Sequence, residues 1–417
     1  MPIGAWLTTS SSSVGTAGKG SHAEACCCGT QMTTTGTTDT GSVCRACRSR
    51  VGEVVLDLGL QPACDYFPRR DDPGPDPEYP LQMWLCSRCG LAQLLEDPTV
   101  PEEPRGAEPA ALVAQAAEAV QQVSLTGLLP AGGTVAEFGS PHGGSWLDLL
   151  AAQGLKPVSD ADPADVIIDC FGMMHAADQA AALGERAARL APGGTLLLQY
   201  HSLAAVIRHG QWNALRHGHY AYYSTTALVA MLAAAGLSPL TAWQFELYGG
   251  TVLLAAKRNA DIAVRDEPSP GETGLGEAVP AMLQDDAAAG VRNAATLHCL
   301  QRDVRARVVG LRDWLTEQGA AGRTVLGYGA ASRAVALLRQ ADVDRTMLPA
   351  VADASPAKQG LRMPGTDIPV VSPAELSASP PDAVLLFLAD LRAEVSASYP
   401  EVEASGGSWV DADALSS

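Results

Sequence analysis

The segment V-A-E-F-G-S-P-H-G-G-S-W (135–146) reads as a strand, a glycine-rich turn and the start of a helix. It confines the middle of this 417-residue chain to few folds, because nucleotide-binding α/β units open this way. The next strand of such a unit is expected to end in an acid, about 20 residues on, that holds ribose hydroxyls. That place reads G-L-K-P (154–157), with Lys156 at the position expected for the acid. The chain then runs almost directly into another strand, A-D-V-I-I-D-C (164–170). The frame of a cofactor-binding domain is present and part of its cofactor side is short.

The alternation continues around this segment. Helical composition from about 108 precedes the strand 134–139, and a helix is expected over 145–153. A-P-G-G-T-L-L-L-Q-Y (191–200) is a turn feeding a buried strand, and 225–237 is a helix ending on glycine. Further on, helical residues 277–318 lead into R-T-V-L-G-Y-G-A-A-S-R-A (323–334), again strand, glycine turn and helix start, and 381–389 is a further strand. The expected class is α/β: a parallel sheet covered by helices in the middle domain, and a Rossmann-like domain after it.

Two Cys pairs stand in front. C-R-A-C supplies Cys44 and Cys47, and C-S-R-C supplies Cys86 and Cys89. Each pair offers two closely spaced thiolates to a tetrahedral ion, so a structural, closed four-cysteine Zn²⁺ site is expected, with G-L-Q-P (59–62) as a turn between the pairs. Two disulfides would need an oxidising compartment, and no signal-like segment supports that; the chain is expected in the cytoplasm. The expected boundaries are a disordered Ser/Thr/Gly-rich tail over 1–43, which includes Cys26, Cys27 and Cys28, a zinc module over 44–100, a middle domain over 105–258, and a helical linker with the last α/β domain over 259–417. The net charge of −18 argues against a nucleic-acid partner, and no apolar run is long enough to span a bilayer.

Ligands of such domains sit at the carboxyl ends of the strands. His142, His175 and His201 fall in or near those loops. The densest cluster is L-R-H-G-H-Y-A-Y-Y-S (215–224): Arg216 can hold a phosphate or carboxylate, His217 and His219 can act as bases, and Tyr222 and Tyr223 can donate to an oxyanion. A second metal site from His201, His217 and His219 is the alternative use of the imidazoles. In the last domain Gly327 and Gly329 make the turn, Arg333 can hold a phosphate, and Asp353 ends the following strand within reach of a ribose.

Together G-L-Q-P-A-C-D-Y (59–66), H-G-H-Y-A-Y-Y-S (217–224), Y-G-G-T-V (248–252), G-Y-G-A-A-S-R (327–333) and D-A-S-P-A-K-Q-G (353–360) resemble the nucleotide-sugar 3-C-methyltransferases over about residues 44–417. The resemblance implies a zinc module, an S-adenosylmethionine (SAM) domain and a C-terminal domain that holds the nucleotide of the substrate. It implies that His219 is the base that enolises a keto sugar, that Glu137, Gly139 and Gly143 hold the methionine end of SAM, and that Asp169 reaches the adenosine. It also implies that Arg333, Asp353 and Lys358 face the substrate. Several positions depart from the family: Gly218 stands where a Glu is usual, Tyr248 where a His is usual, Arg333 where a Lys is usual, Pro141 and His142 where an acid usually follows the Gly-Ser pair, and Lys156 where the ribose acid is usual, and 101–112 lacks the family's tyrosine- and serine-rich stretch. The segment that lines the adenine is also shorter.

From these departures the leading expectation is a natural-product enzyme on this scaffold that works without SAM. It would perform isomerisation, dehydration or cyclisation next to a carbonyl, with His219 as base and His217, Tyr222, Tyr223 or Tyr248 as donors. A working C-methyltransferase acting on a nucleotide-linked keto sugar is the alternative, and a non-catalytic partner protein is the third reading. The substrate expected in either enzyme is a small molecule.

Overall fold

The computed structural model describes residues 41–99, 108–140, 144–159, 162–262 and 276–415. Residues 1–40 of the expected tail, with Cys26 to Cys28, and also His142 and Gly143 lie outside them. The zinc module is an antiparallel meander of β1 (Gly52–Pro62), β2 (Glu78–Cys86) and β3 (Ala92–Leu94). Gly59 does not make a turn between the cysteine pairs. It lies inside β1 with φ +67, where the pairing with β2 slips between Asp57 and Leu60. A bulge of this kind bends a strand without ending it.

The middle domain follows in the order α1 (Ala110–Ser124), β4 (Thr134–Phe138), α2 (Leu147–Ala152), β5 (Lys156–Pro157), β6 (Ala164–Cys170), α3 (Gln179–Arg189) and β7 (Leu190–His201). Then come α4 (Leu203–Arg208), β8 (Ala221–Tyr222), α5 (Thr225–Ala234), β9 (Leu237–Phe245) and β10 (Thr251–Arg258). The sheet runs β5-β4-β6-β7-β10-β9. Its first four strands are parallel, and β10 is antiparallel to both neighbours. The near-continuous apolar runs V-I-I in β6 and L-L-L in β7 are what a sheet covered on both faces requires. No helix is described between β5 and β6, and β5 is the edge strand of the sheet.

Strand β8 leaves this domain. It pairs with β3, Ala92 opposite Tyr222, and completes the four-stranded sheet of the zinc module. The last domain starts with α6 (Ala278–Ala289) and the long α7 (Cys299–Ala320). Its sheet is built from β11 (Val325–Tyr328), α8 (Ser332–Gln340), β12 (Val351–Ala352), β13 (Val370–Val371), β14 (Ala383–Leu386) and β15 (Ser408–Asp411). The order is β13-β12-β11-β14-β15, all parallel. One apolar core runs from Leu56, Leu58 and Leu81 of the zinc module to Leu337, Leu338 and Met363 of this last domain. A bidentate Arg362–Asp76 pair, with both side chains 6% exposed, ties the same two modules. No helix among the described residues is long and apolar enough to cross a membrane.

Candidate active site

The four cysteines predicted to hold zinc do converge. Their sulfurs all lie within 4.8 Å of one another, with Cys44–Cys89 and Cys47–Cys86 at 3.6 Å. An ion with Zn–S bonds of about 2.3 Å sets tetrahedral sulfurs ~3.8 Å apart. The cluster therefore fits a structural Zn²⁺. It is the one group of this kind among the described residues; His201, His217 and His219 do not form a second.

A cavity of about 270 Å³ opens at the carboxyl ends of β4 and β6, between all three modules. Glu137, Ser140, Cys170 and Phe171 form the side belonging to the middle sheet. Arg216, His219, Tyr222 and Tyr223 come from the loop around β8. Arg333 and Lys358 reach in from the last domain, and Asp65 and Phe67 from the zinc module. Among the residues singled out in the sequence, Glu137, His201, Arg216, His219, Tyr222, Tyr223, Tyr248, Arg333 and Lys358 line this cavity.

His219 accepts a 2.8 Å hydrogen bond from Arg216 Nε and meets the His175 ring edge-on at 4.7 Å. The peptide N–H of Arg216 donates to the Tyr222 hydroxyl at 3.0 Å, and the Arg216 guanidinium reaches Ser332 at the start of α8. Burial raises the Tyr222 and Tyr223 phenols, so both stay un-ionised. The Tyr223 hydroxyl is committed to Gln179. Tyr248 sits at φ +56 in the tight turn before β10, with the Arg333 guanidinium 5.5 Å over its ring and Phe171 edge-on at 6.3 Å. Its hydroxyl has no hydrogen-bond partner among the described residues. A non-glycine residue at positive φ is strained, and such strain collects at functional sites. Arg333 is held below the usual guanidinium range by burial, while Lys358 donates to the Ala330 carbonyl at 2.8 Å beside Phe67.

His201 has its Nε2 3.1 Å from Gln211 Oε1. An unfolded imidazole takes up its proton near pH 6.5, whereas burial, with Arg333 nearby, lowers His201 to about 3. Between those values only the unfolded chain binds the proton. The stability from this group is full above about pH 6.5 and declines as pH falls toward 3. His201→Gln is expected to flatten that decline by up to about 1.4 kcal/mol per pH unit in urea-unfolding experiments; an unchanged slope would count against a buried neutral imidazole.

Other predicted residues are placed elsewhere. His217 is buried on the opposite side of its loop, Nε2 3.1 Å from the Pro80 carbonyl, because Gly218 at φ +81 turns the chain between the two histidines. Asp169 does not reach the cavity. Its Oδ1 accepts the N–H groups of Gly172 and Met173 at 2.8 and 2.9 Å, and its Oδ2 accepts Arg186 at 2.6 Å, with the two side chains 1% and 7% exposed. Asp169→Asn should strand the Arg186 charge and lower unfolding free energy by about 3–5 kcal/mol, readable by urea denaturation; a near-neutral change would contradict this. Asp353 holds the β11–α8 turn through the N–H groups of Ala330 and Ser355 at 2.7 and 2.8 Å, and does not line the cavity. Gly327 and Gly329 shape the same turn without lining it; a Cβ at Gly327 would meet Phe387 and Val351 at 2.9 Å. Gly139 is likewise not part of the wall, which passes instead through Ser140.

Lys156 is corrected by register. It pairs with Thr134, the first residue of β4, and so marks the start of β5 rather than its carboxyl end.

Glu137 caps α2: its two carboxylate oxygens accept Trp146 N–H at 2.8 Å and Ser145 Oγ at 2.5 Å. Beside it Gly139 faces open space, since a Cβ there would meet nothing within 4 Å. An open backbone at this strand end fits the methionine part of SAM, which the fold implies at the carboxyl ends of the parallel strands.

Three family models match the chain: a putative zinc binding domain over 44–103, a methyltransferase domain over 110–242 and a C-methyltransferase C-terminal domain over 246–412. The chain is 25% identical to C-methyltransferase NovU of Streptomyces niveus over 88% of its own length and 94% of that protein. Among solved structures it is similar to magnesium protoporphyrin IX methyltransferase from Synechocystis PCC 6803 with bound SAH (13% identity, 37% of this chain and 90% of that one, TM-score 0.28). It is also similar to the 1,6-didemethyltoxoflavin-N1-methyltransferase of Burkholderia thailandensis (14% identity, 40% and 95%, TM-score 0.28). The expectation that SAM use has been lost to isomerase, lyase or cyclase chemistry finds no support in these likenesses. The chain thus joins a zinc-binding domain, a methyltransferase domain and a C-methyltransferase C-terminal domain, and it is a homologue of a C-methyltransferase along most of its length.

Proposed function

We propose that this protein is a SAM-dependent C-methyltransferase that methylates a carbon next to the carbonyl of a nucleotide-linked keto sugar. One observation carries the reading. A single cavity joins the open end of β4, the His219 imidazole and the cations Arg333 and Lys358. SAM, when bound, supplies an electrophilic methyl group. Ser140 and the backbone beside Gly139 would hold its methionine end.

The remaining work falls to the chain's own side chains. His219 takes the proton from the carbon next to the carbonyl on the Nε2 lone pair that Arg216 Nε holds in this structure, once the guanidinium turns to the substrate, and the C–H electron pair passes into an enolate. The Tyr248 hydroxyl is free to donate to the enolate oxygen, and Arg333 and Lys358 hold the anionic part of the substrate. Burial raises the Tyr248 phenol, against the pull of Arg333, so it keeps the proton that this role needs. Four zinc thiolates suit a reducing, cytoplasmic setting.

Calorimetric titration of the zinc-loaded protein with S-adenosylhomocysteine tests the reading. Micromolar binding is the expected result. No binding at millimolar ligand, with zinc and fold intact, would return the site to chemistry without SAM.

A further inference from the structure

The loop that carries His219 has no acid of its own. Gly218 precedes the histidine at φ +81, a left-handed conformation that side-chain-bearing residues rarely adopt. The carboxylate Oδ2 of Asp97 holds it there by accepting the Gly218 N–H at 2.6 Å. A Cβ built at 218 would find one side-chain atom within 4 Å, the Asp65 Oδ2 at 3.9 Å. Asp65 follows β1 in the zinc module and lines the cavity. It lies 3.7 Å from Arg216 Nη1, with the two side chains 18% and 10% exposed. Arg216 Nε in turn donates to His219 at 2.8 Å. Carboxylate, guanidinium and imidazole thus run in series from the zinc module to the base.

A guanidinium against an imidazole opposes its protonation, and a carboxylate on the guanidinium's other side offsets that effect. Other described groups also stand near His219. His175 meets it ring to ring, Tyr222 stands 6.5 Å away and is kept un-ionised by burial, and Asp97 is turned to the Gly218 backbone.

We propose that Asp65 is a positioning residue: the zinc module delivers its carboxylate into the space beside Gly218, where it pairs with Arg216 and lets His219 accept the substrate's proton. The proposal rests on His219 being the base. It also gives the zinc module a part in the chemistry, because the fold around the four cysteines sets where Asp65 stands.

Histidine titration by NMR on labelled, zinc-loaded protein tests it without a substrate. The His219 signal is identified by its loss in His219→Gln, among the eight histidines of the chain. Asp65→Asn should titrate about one pH unit lower at His219 than the wild type, while Asp65→Glu should titrate with the wild type. Asp65→Ser gives a second neutral replacement should the Asn variant lose zinc. Neutral variants that keep zinc and titrate with the wild type would overturn the proposal. Failure of S-adenosylhomocysteine to bind the wild type would instead remove the methyltransferase reading and leave this titration standing.

Discussion

His219→Gln is expected to slow methyl transfer by about 10²–10⁴-fold while S-adenosylhomocysteine binds as it does to the wild type. The argument is geometric. His219 lines the cavity together with Glu137 and Ser140 near the end of β4 and with the cations Arg333 and Lys358 of the last domain. His201 shares the cavity but is held neutral by burial and committed to Gln211. His217 is buried against Pro80. The loss should therefore fall on the turnover number and not on cofactor affinity, which steady-state kinetics beside calorimetry would separate. A His219→Gln enzyme of wild-type rate would leave the site without its base, and a variant that loses affinity and rate together would point to a structural role.

Removing the zinc ion should unfold more than the module that binds it. Structural zinc sites supply an apparent ~10–16 kcal/mol at neutral pH, as much as the whole stability of a typical domain, about 5–15 kcal/mol. Cys86 ends β2 and Cys44 is fully buried, so the ion holds the meander's turn and its entry together. That sheet accepts β8, which carries Tyr222, and shares a core with α8. Chelation, or Cys86→Ser, is expected to lower the melting temperature sharply and to abolish turnover, with zinc content measured in parallel. A zinc-free protein that melts with the wild type would show that the cysteines bind nothing the fold needs.

Both expectations rest on residues whose visibility in the sequence differs. The zinc cysteines were legible because a ligand pair three residues apart is local geometry, repeated twice. Strands and helices of the middle and last domains were legible for a similar reason. A buried parallel strand is an apolar run such as D-V-I-I-D, and its turn is written in glycine. Lys156 was misplaced because a two-residue strand pair has too little pattern to set its own register, which its pairing with Thr134 and Val135 decides. Asp169 looked available because its partner, Arg186, lies 17 residues on and meets it only when α3 packs on the sheet.

What the sequence determined by itself is therefore what neighbours in the chain can specify: the order of three modules, the alternation of their elements, the metal ligands and the short list of candidate bases. Only the tertiary structure decided which candidates share a cavity. Gly218 turns His219 to the cavity and leaves His217 buried against Pro80, β8 crosses into the zinc sheet, and Asp65 arrives beside Arg216 from 151 residues earlier in the chain. Such contacts depend on how whole sheets dock, and docking is set by the summed burial of many apolar side chains rather than by any local pattern.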